Sequence, residues 1–598
     1  MQDAYPINLN FDVPPTSCAE RPAGTSNSLS AEHAVSSQTF GPRRRLILGA
    51  VRNRIATARS PGAAADMVER PPTTQAPEHE LRRDVTVWGS YMWGFADVGA
   101  DTFVALGVVF AITQGAAPLA FALAGLVYIL VGLAYTELAS AYPVSGGGQY
   151  FALRGLGDFW GLISGSALLL DYTIDIALFS YFTSTYMDHF FPSIARWTVA
   201  IGPFPYVHVG LMIQTLIVIA LLVWLNVRGM REASLLNEIV GVGVILTECG
   251  IIIFGFLLVW QPQLVAEQWT AAFTHFDSRR FLYGASLAII SFVGLESISQ
   301  AAQETRRPAT IVPRTSIGLI FTVFLFAVSI SVLTLGVERW EVFQNPQNVG
   351  KSVALIASHL PWIGKAAEGF TAALASLVLL ISANSGVMSV SRLTFSMSRF
   401  DFISGWFEKV HPVYRTPVRT IVIFSSIGGL QVVFASLTAN AIDTLVNLYA
   451  FGATLGYTVV LISLVRLRFS DPYTPRPYRM PLNIPLQRGG TRIYFPVLGV
   501  LALLSIAAVF LIVLYTHSIA RIAGPLWVLL CFVYYAWYRR RHGLPVMRSL
   551  PRNWEAEQKD VLTSAEEFDL LEQYKVALAE RDRRVHRSDR LGRGTTGA

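Results

Sequence analysis

Charge is scarce in this chain. Asp, Glu, Lys and Arg together make up 15% of its 598 residues, while 53% are apolar. Soluble domains carry much more charge, so the composition points away from a soluble enzyme or binding module. Cysteine is nearly absent. Cys18, Cys249 and Cys531 lie far apart, which excludes a disulfide framework and offers no metal spacing. His189, His208, His275, His359, His411 and His517 are scattered through loops and segment ends, again without a metal-ligand pattern. There is no nucleophile elbow and no zinc signature. The glycine-rich stretch Tyr142-Pro143-Val144-Ser145-Gly146-Gly147-Gly148-Gln149-Tyr150 has no strand before it and no Gly-Lys-Ser after it. It reads as a tight inner loop rather than a phosphate cradle. Neither a cofactor nor a resident metal is expected.

What the chain has is long apolar runs. A helix needs about 20 apolar residues to cross a bilayer, and that rule gives about twelve spans. They fall at 88–112, 118–140, 161–186, 206–226, 233–260, 281–301, 312–337, 366–391, 417–436, 441–465, 494–516 and 519–538. The expected fold class is therefore an all-α integral membrane protein. Loop charges orient it. Even-numbered connections hold Arg154; Arg228 and Arg231; Arg306, Arg307 and Arg314; Lys409, Arg415 and Arg419; and Arg466, Arg468, Arg476, Arg479, Arg488 and Arg492. Odd-numbered connections are poorer in Lys and Arg, and basic loops stay cytoplasmic. Both termini are thus expected inside a plasma or inner membrane. The basic balance of +7 reports topology and not nucleic-acid binding.

Three parts follow: a tail at 1–82, a transporter core at 83–540 and a charged cytoplasmic tail at 541–598. The first is rich in Pro, Ser, Thr and Ala and has no spanning run, as expected of a disordered cytoplasmic tail. Its Arg43-Arg44-Arg45 run reads as a solvated basic stretch. It is not a signal peptide, because its short apolar stretch lies too far from the start; a misassigned start codon would also account for it. In the C-terminal tail, Ser564–Arg584 can form a polar, solvated helix.

Five acids sit near the centres of apolar segments, with no Lys or Arg at comparable depth: Asp97, Asp101, Asp171, Asp175 and Glu248. A charge at bilayer mid-depth costs several kcal/mol and survives by facing a wet cavity, a partner charge or a proton. Asp97 and Asp101 flank Gly99-Ala100, where a helix can unwind. Exposed backbone of that kind is tolerated in a membrane only around a cavity, and transporters bind substrate at such breaks. The bland alternative is a packing glycine with two neutral acids. Asp171 and Asp175 are also four apart, with Tyr172 and Thr173 between them adding hydroxyl oxygens; oxygen-only sites suit hard cations, though a pair of protonated structural carboxyls would look the same. Ile290-Ser291-Phe292-Val293-Gly294-Leu295-Glu296 suggests a second break. There Glu296 lines the site or simply faces water. Glu248 is either a coupling group or a neutral structural acid, and Glu137, near the inner end of segment two, is expected to cap or bridge cytoplasmic loops.

The order of these elements resembles the amino acid–polyamine–cation carrier superfamily. The matching stretches are Gly99–Gly107, Tyr135-Thr136-Glu137-Leu138 with Tyr142-Pro143, Leu225-Asn226-Val227-Arg228-Gly229, Phe292–Glu296 with Pro308 and Pro313-Arg314, and Asn384-Ser385-Gly386. The resemblance covers about residues 83–540 and implies two inverted five-helix repeats (88–260 and 281–465) plus two extra helices (494–538). The residues and the resemblance together give a candidate substrate site at Asp97, Gly99, Ala100, Asp101, Asp171, Tyr172, Ser291, Phe292, Gly294 and Tyr449, with Asp175, Glu248 and Glu296 as coupling candidates. Amino acid permeases of this superfamily carry Gly where this chain has Asp101, and some carry a Lys in segment five, where 233–260 has none. The chain is also similar to bacterial proton-coupled potassium importers at Asp97, at Asp171-Tyr172 and at Leu448-Tyr449-Ala450, which would place a monovalent cation at Asp97, Asp171, Tyr172 and Tyr449. It departs from them at Val104 and Asp175. The expected function is a proton-coupled secondary transporter of an amino acid or polyamine bearing a cationic group. A potassium importer is the alternative, and a non-transporting membrane sensor or scaffold is a third. The last has no need of unpaired carboxyls in lipid. The expected partners are the small-molecule or ion substrate, protons and the lipid bilayer, with no nucleic acid.

Overall fold

The computed structural model of the protein describes residues 87–594, apart from 202–203, 229–232, 275, 295, 301, 303–304, 306, 415, 439 and 489–490. The expectations for 1–82 lie outside these residues.

Helices account for nearly all of the regular structure. The first half runs α1 (Val87–Val98), α2 (Asp101–Thr113), α3 (Ala117–Ala141), α4 (Gly147–Leu156), α5 (Asp158–Met187), α6 (Pro192–Ala195), α7 (Val209–Arg228), α8 (Ala233–Leu258) and α9 (Pro262–Thr274). The second half runs α10 (Ser278–Ala288), α11 (Glu296–Gln300), α12 (Pro308–Val337), α13 (Pro346–Val349), α14 (Ser352–Ser358), α15 (Gly364–Arg399), α16 (Val418–Ser436), α17 (Ala441–Ser470), α18 (Val497–Thr516), α19 (Ser518–Arg541), α20 (Trp554–Ser564) and α21 (Phe568–Gly594). Two antiparallel hairpins interrupt them, β1 (Val199–Ile201) with β2 (Phe204–Val207) and β3 (Asn483–Arg488) with β4 (Thr491–Pro496).

Among the described residues, 11 helical stretches are long and apolar enough to span a membrane. The first, Val87–Ala141, takes in the first two expected spans, so the count matches the twelve expected from sequence once that stretch is divided at the turn before α3. Local chemistry explains the helix starts. Asp277 accepts from the backbone N–H groups of Arg279 and Arg280 at the start of α10, and Asn440 accepts from Asp443 at the start of α17, satisfying donors that a helix N-terminus leaves free. Pro308 opens α12, where its missing N–H costs nothing.

Burial sorts the spans into layers. α5 is 94% buried along its most apolar window, whereas α19 is 17% buried. α5 packs against α15, α16 and α17, while α18 and α19 lie outside and show apolar side chains such as Leu504, Leu511 and Leu530. The end that carries the basic connections is tied by ion pairs. Arg468 meets Glu137 at 2.6 Å, Arg539 meets Asp158 at 2.6 Å and Arg154 meets Asp471 at 2.7 Å. Glu137 also accepts from the Met480 N–H, so it bridges connecting segments at this end.

The C-terminal tail departs from the single solvated helix expected over Ser564–Arg584. Ser564 ends α20, Glu566 adopts a left-handed conformation (φ 56°), and α21 starts afresh at Phe568. The tail is also docked. Leu562, Tyr574 and Leu578 bury one another, Gln558 donates to the Ala141 carbonyl, and Glu567 accepts from the Ala309 N–H.

Candidate functional site

The site grows from two interrupted helices that meet. The first span breaks at Gly99-Ala100, between α1 and α2. The sixth tightens to a 3-10 turn over Ile289–Phe292, then bends at Gly294, whose φ of 106° is closed to most other residues, before α11 resumes at Glu296. The two bends face each other: a methyl group at Gly294 would lie 3.1 Å from Asp97 Oδ2. Gly294 is therefore required both by conformation and by the approach of Asp97.

The third span is different. α5 is continuous, so Asp171 and Asp175 stand one turn apart on one face. That face meets the breaks. Asp101 has Asp175 and Asp97 as charged neighbours, Asp171 has Asp175 and Glu296, and Asp97 has Glu296. Five carboxyl groups are thus gathered in the core, and no Lys or Arg is among these neighbours. Both oxygens of Asp101, both of Asp171 and one of Asp175 are buried without a donor. Asp171 faces Glu296, one acceptor against another, unless a proton bridges them. Charges of one sign in a low-dielectric core repel strongly, so such a cluster is balanced only by protons or by a mobile cation.

The remaining expected residues divide. Tyr449 reaches Asp175 from α17, with its ring edge-on to Phe179 at 6.1 Å. The Tyr172 hydroxyl accepts from Gln300 Nε2 at 3.0 Å. Ser291 is fully buried and its hydroxyl has no partner. Phe292 stacks its ring on Tyr128 of α3 at 5.1 Å, and Tyr128 in turn has Glu296 and Asp101 as charged neighbours. Glu248 is buried on α8 near Tyr186, and none of the five core acids acts on it. Its position leaves it outside the cluster.

Three participants were not evident from sequence. Ser382 on α15 donates to Asp97 Oδ1 at 3.2 Å, and Tyr457 on α17 donates to Glu296 Oε2 at 2.6 Å. Gln300 joins Tyr172 to the glycine-rich loop by accepting from the Gly146 N–H at 3.0 Å. The stretch expected to be a tight inner loop is only partly one: Gly146 turns in a left-handed conformation (φ 99°), Gly147 opens α4, and the turn is tied directly to the short helix that leaves the site. A polar residue in an apolar span was the available signal for each, but many Ser and Tyr residues share it.

A multi-pass helical membrane protein with an acidic, oxygen-rich site between two broken helices is the class these features define. The comparisons specify it further. The sequence matches the amino acid permease family over residues 87–537, and the chain belongs to that family. It is 24% identical over 477 residues to the branched-chain amino acid permease BcaP of Bacillus subtilis, covering 78% of this chain and 95% of that protein. It is 24% identical over 394 residues to the low-affinity putrescine importer PlaP of Escherichia coli, covering 64% and 81%. With the human cationic amino acid transporter 4 it shares 26% identity over 421 residues, covering 67% and 62%. The named relatives are all permeases, importers or transporters, and the family is one of permeases.

Proposed function

We propose that this permease carries an amino acid or polyamine with a cationic group across the plasma membrane, coupled to protons, by alternating access of the site between the two faces. The gathering of Asp97, Asp101, Asp171, Asp175 and Glu296 without a Lys or Arg carries this reading. A substrate ammonium supplies part of the missing positive charge, and protons on the remaining carboxyls supply the rest. The names of the putrescine importer and the cationic amino acid transporter agree with such a substrate. The core at 83–540, built as two inverted repeats plus two helices, would move one repeat against the other around this fixed site, with both tails cytoplasmic.

One observation favours potassium instead. The donors around the breaks are all oxygens, from Asp97, Asp171, Tyr172 and Tyr449, and hard cations take such ligands. Uptake of labelled lysine, ornithine or putrescine against uptake of potassium, in proteoliposomes with and without a pH gradient, decides between them. Amine uptake that the gradient accelerates supports the first reading. Potassium uptake without amine uptake supports the second. No uptake of either, from a folded and correctly inserted protein, would defeat both.

A further inference from the structure

On the β3 side of the β3–β4 hairpin lies an apolar row that none of the described residues covers. The hairpin connects the inner end of α17 to the start of α18. In an antiparallel pair, directly opposed residues share a face. Ile484 opposes Phe495 and Leu486 opposes Ile493, so these four lie together. The β4 members are covered: Ile493 is buried, and Phe495 packs against Phe469 of α17 with ring centroids 6.2 Å apart. The β3 members are not: Ile484 is 51% exposed and Leu486 41%. Leu482, at the entrance to the strand, is 66% exposed. The other face is polar, with Gln487 opposite Arg492, and with the Arg479 guanidinium 4.7 Å from the ring of Tyr494.

Two features identify what covers the apolar face. Position is the first. β4 ends at Pro496 and α18 begins at Val497, so the hairpin lies where the chain enters the bilayer. Its exposed apolar row continues into the lipid-facing Leu501, Leu504 and Leu511 of α18. Charge is the second. From Pro472 to Trp554 the sequence holds no Asp or Glu, while Arg476, Arg479, Arg488 and Arg492 fall in or beside the hairpin. Arg479 and Arg492 are exposed. An apolar face backed by the exposed Arg479 and Arg492 on the opposite, polar face is the pattern of a segment lying in the interface of an anionic membrane, apolar side inward and cations toward the headgroups.

We propose that the β3–β4 hairpin is a membrane-interface foot: Leu482, Ile484 and Leu486 sit at the headgroup–acyl boundary of the inner leaflet, and Arg479 and Arg492 contact anionic lipid headgroups. It would hold the α17–α18 connection against the bilayer while the core moves. The proposal stands on the hairpin's own geometry and does not depend on the substrate.

The test labels Cys placed at Ile484, Leu486 or Gln487 with an environment-sensitive fluorophore, in full-length protein with Cys18, Cys249 and Cys531 replaced by Ser. The labelled proteins are reconstituted in phosphatidylcholine vesicles with or without phosphatidylglycerol. Labels at 484 and 486 should be blue-shifted, quenched by shallow doxyl lipids and shielded from iodide present on both sides, whereas the label at 487 should be quenched by iodide. Arg492→Gln should lose about fivefold of any phosphatidylglycerol preference in the 484 signal, since one basic residue at an anionic surface is worth about that factor. Iodide quenching at 484 equal to that at 487 would overturn the proposal, placing the face in water. Shielding that persists in dilute-lipid detergent and rises with protein concentration would overturn it in favour of a second copy.

Discussion

At Asp171 the amide of Asn nearly matches the carboxyl in volume, so Asp171→Asn removes charge and proton capacity without opening a cavity. Both Asp171 oxygens lack a donor in the protein, and no internal ion pair is broken by the change. Uptake should fall to background while expression and insertion stay normal. Wild-type uptake across the pH range would remove Asp171 from the site. Asp175→Asn should weaken uptake less or move its pH optimum, because Tyr449 still holds that position. Asp101 opens α2, where a carboxylate also gains from the positive end of the helix. Asp101→Gly costs about 0.3 kcal/mol of helix propensity and removes the acid that repels a substrate carboxylate. An amine-selective carrier should then admit neutral amino acids, while a potassium carrier should lose ion uptake and admit none. Unchanged preference and rate would mean that this side chain faces away from substrate. Gly294→Ala tests the second bend. It places a methyl 3.1 Å from Asp97 Oδ2 on a backbone of φ 106°. A left-handed conformation costs an L-residue about 1–2 kcal/mol, so both thermal stability and uptake should drop.

Long elements were legible because a bilayer imposes length. The third span was expected at 161–186 and runs Asp158–Met187; the fifth was expected at 233–260 and runs Ala233–Leu258. Breaks were legible where Gly meets an acid, as at Gly99 and Gly294. Faces were not legible. In a membrane bundle the lipid side and the core side are both apolar, so no periodicity separated Phe292, which stacks on Tyr128, from Ser291, and none drew Ser382 and Tyr457 out of their helices. Pairings between distant segments were equally hidden. Asp158 at the start of α5 meets Arg539 at the end of α19, with both side chains 0% exposed. Asp158→Asn leaves that guanidinium buried without its counter-charge, which should cost about 3–5 kcal/mol and lower the melting temperature. The double change Asp158→Asn with Arg539→Met should recover part of the loss. At the far end of α5, burial pushes the Asp188 carboxyl up to about 6, with Lys351 pulling against it. The folded protein therefore binds this proton more tightly than the unfolded chain does. Asp188 should make stability fall as pH rises from the ordinary carboxylate range to about 6, and have no further pH effect above that. Melting curves of wild type and Asp188→Asn should diverge across that window, with the variant less pH-dependent; parallel curves would show that Asp188 is not the group responsible.

The distribution of charge across the whole molecule ties the direction of insertion to the structure of one end. Arg154, Arg468, Arg476, Arg539 and Arg552 all lie at the end where the even-numbered connections emerge, and each has an acidic partner there: Asp471, Glu137 or Asp158. α20 docks on the same end through Gln558, which accepts from Arg154 and donates to the Ala141 carbonyl. Turning the molecule over would require this whole basic layer and the docked tail to cross the bilayer, against the retention of Lys and Arg on the cytoplasmic side. The opposite end carries the loop with α13 and α14, where Arg339 and His359 pair with Glu267 and Glu338. The tail and the β3–β4 hairpin should therefore be cytoplasmic and the 338–360 loop external. Gln347 and Gln573 are exposed at the two ends and serve as reporters. In a protein with its own three Cys replaced by Ser, Gln347→Cys should react with an impermeant maleimide on intact cells. Gln573→Cys should react only after the membrane is opened. Labelling of 573 from outside would invert the molecule, and with it the side from which substrate is taken up. Labelling of both positions from outside would mean that the spans between them do not return the chain as the eleven helical stretches imply.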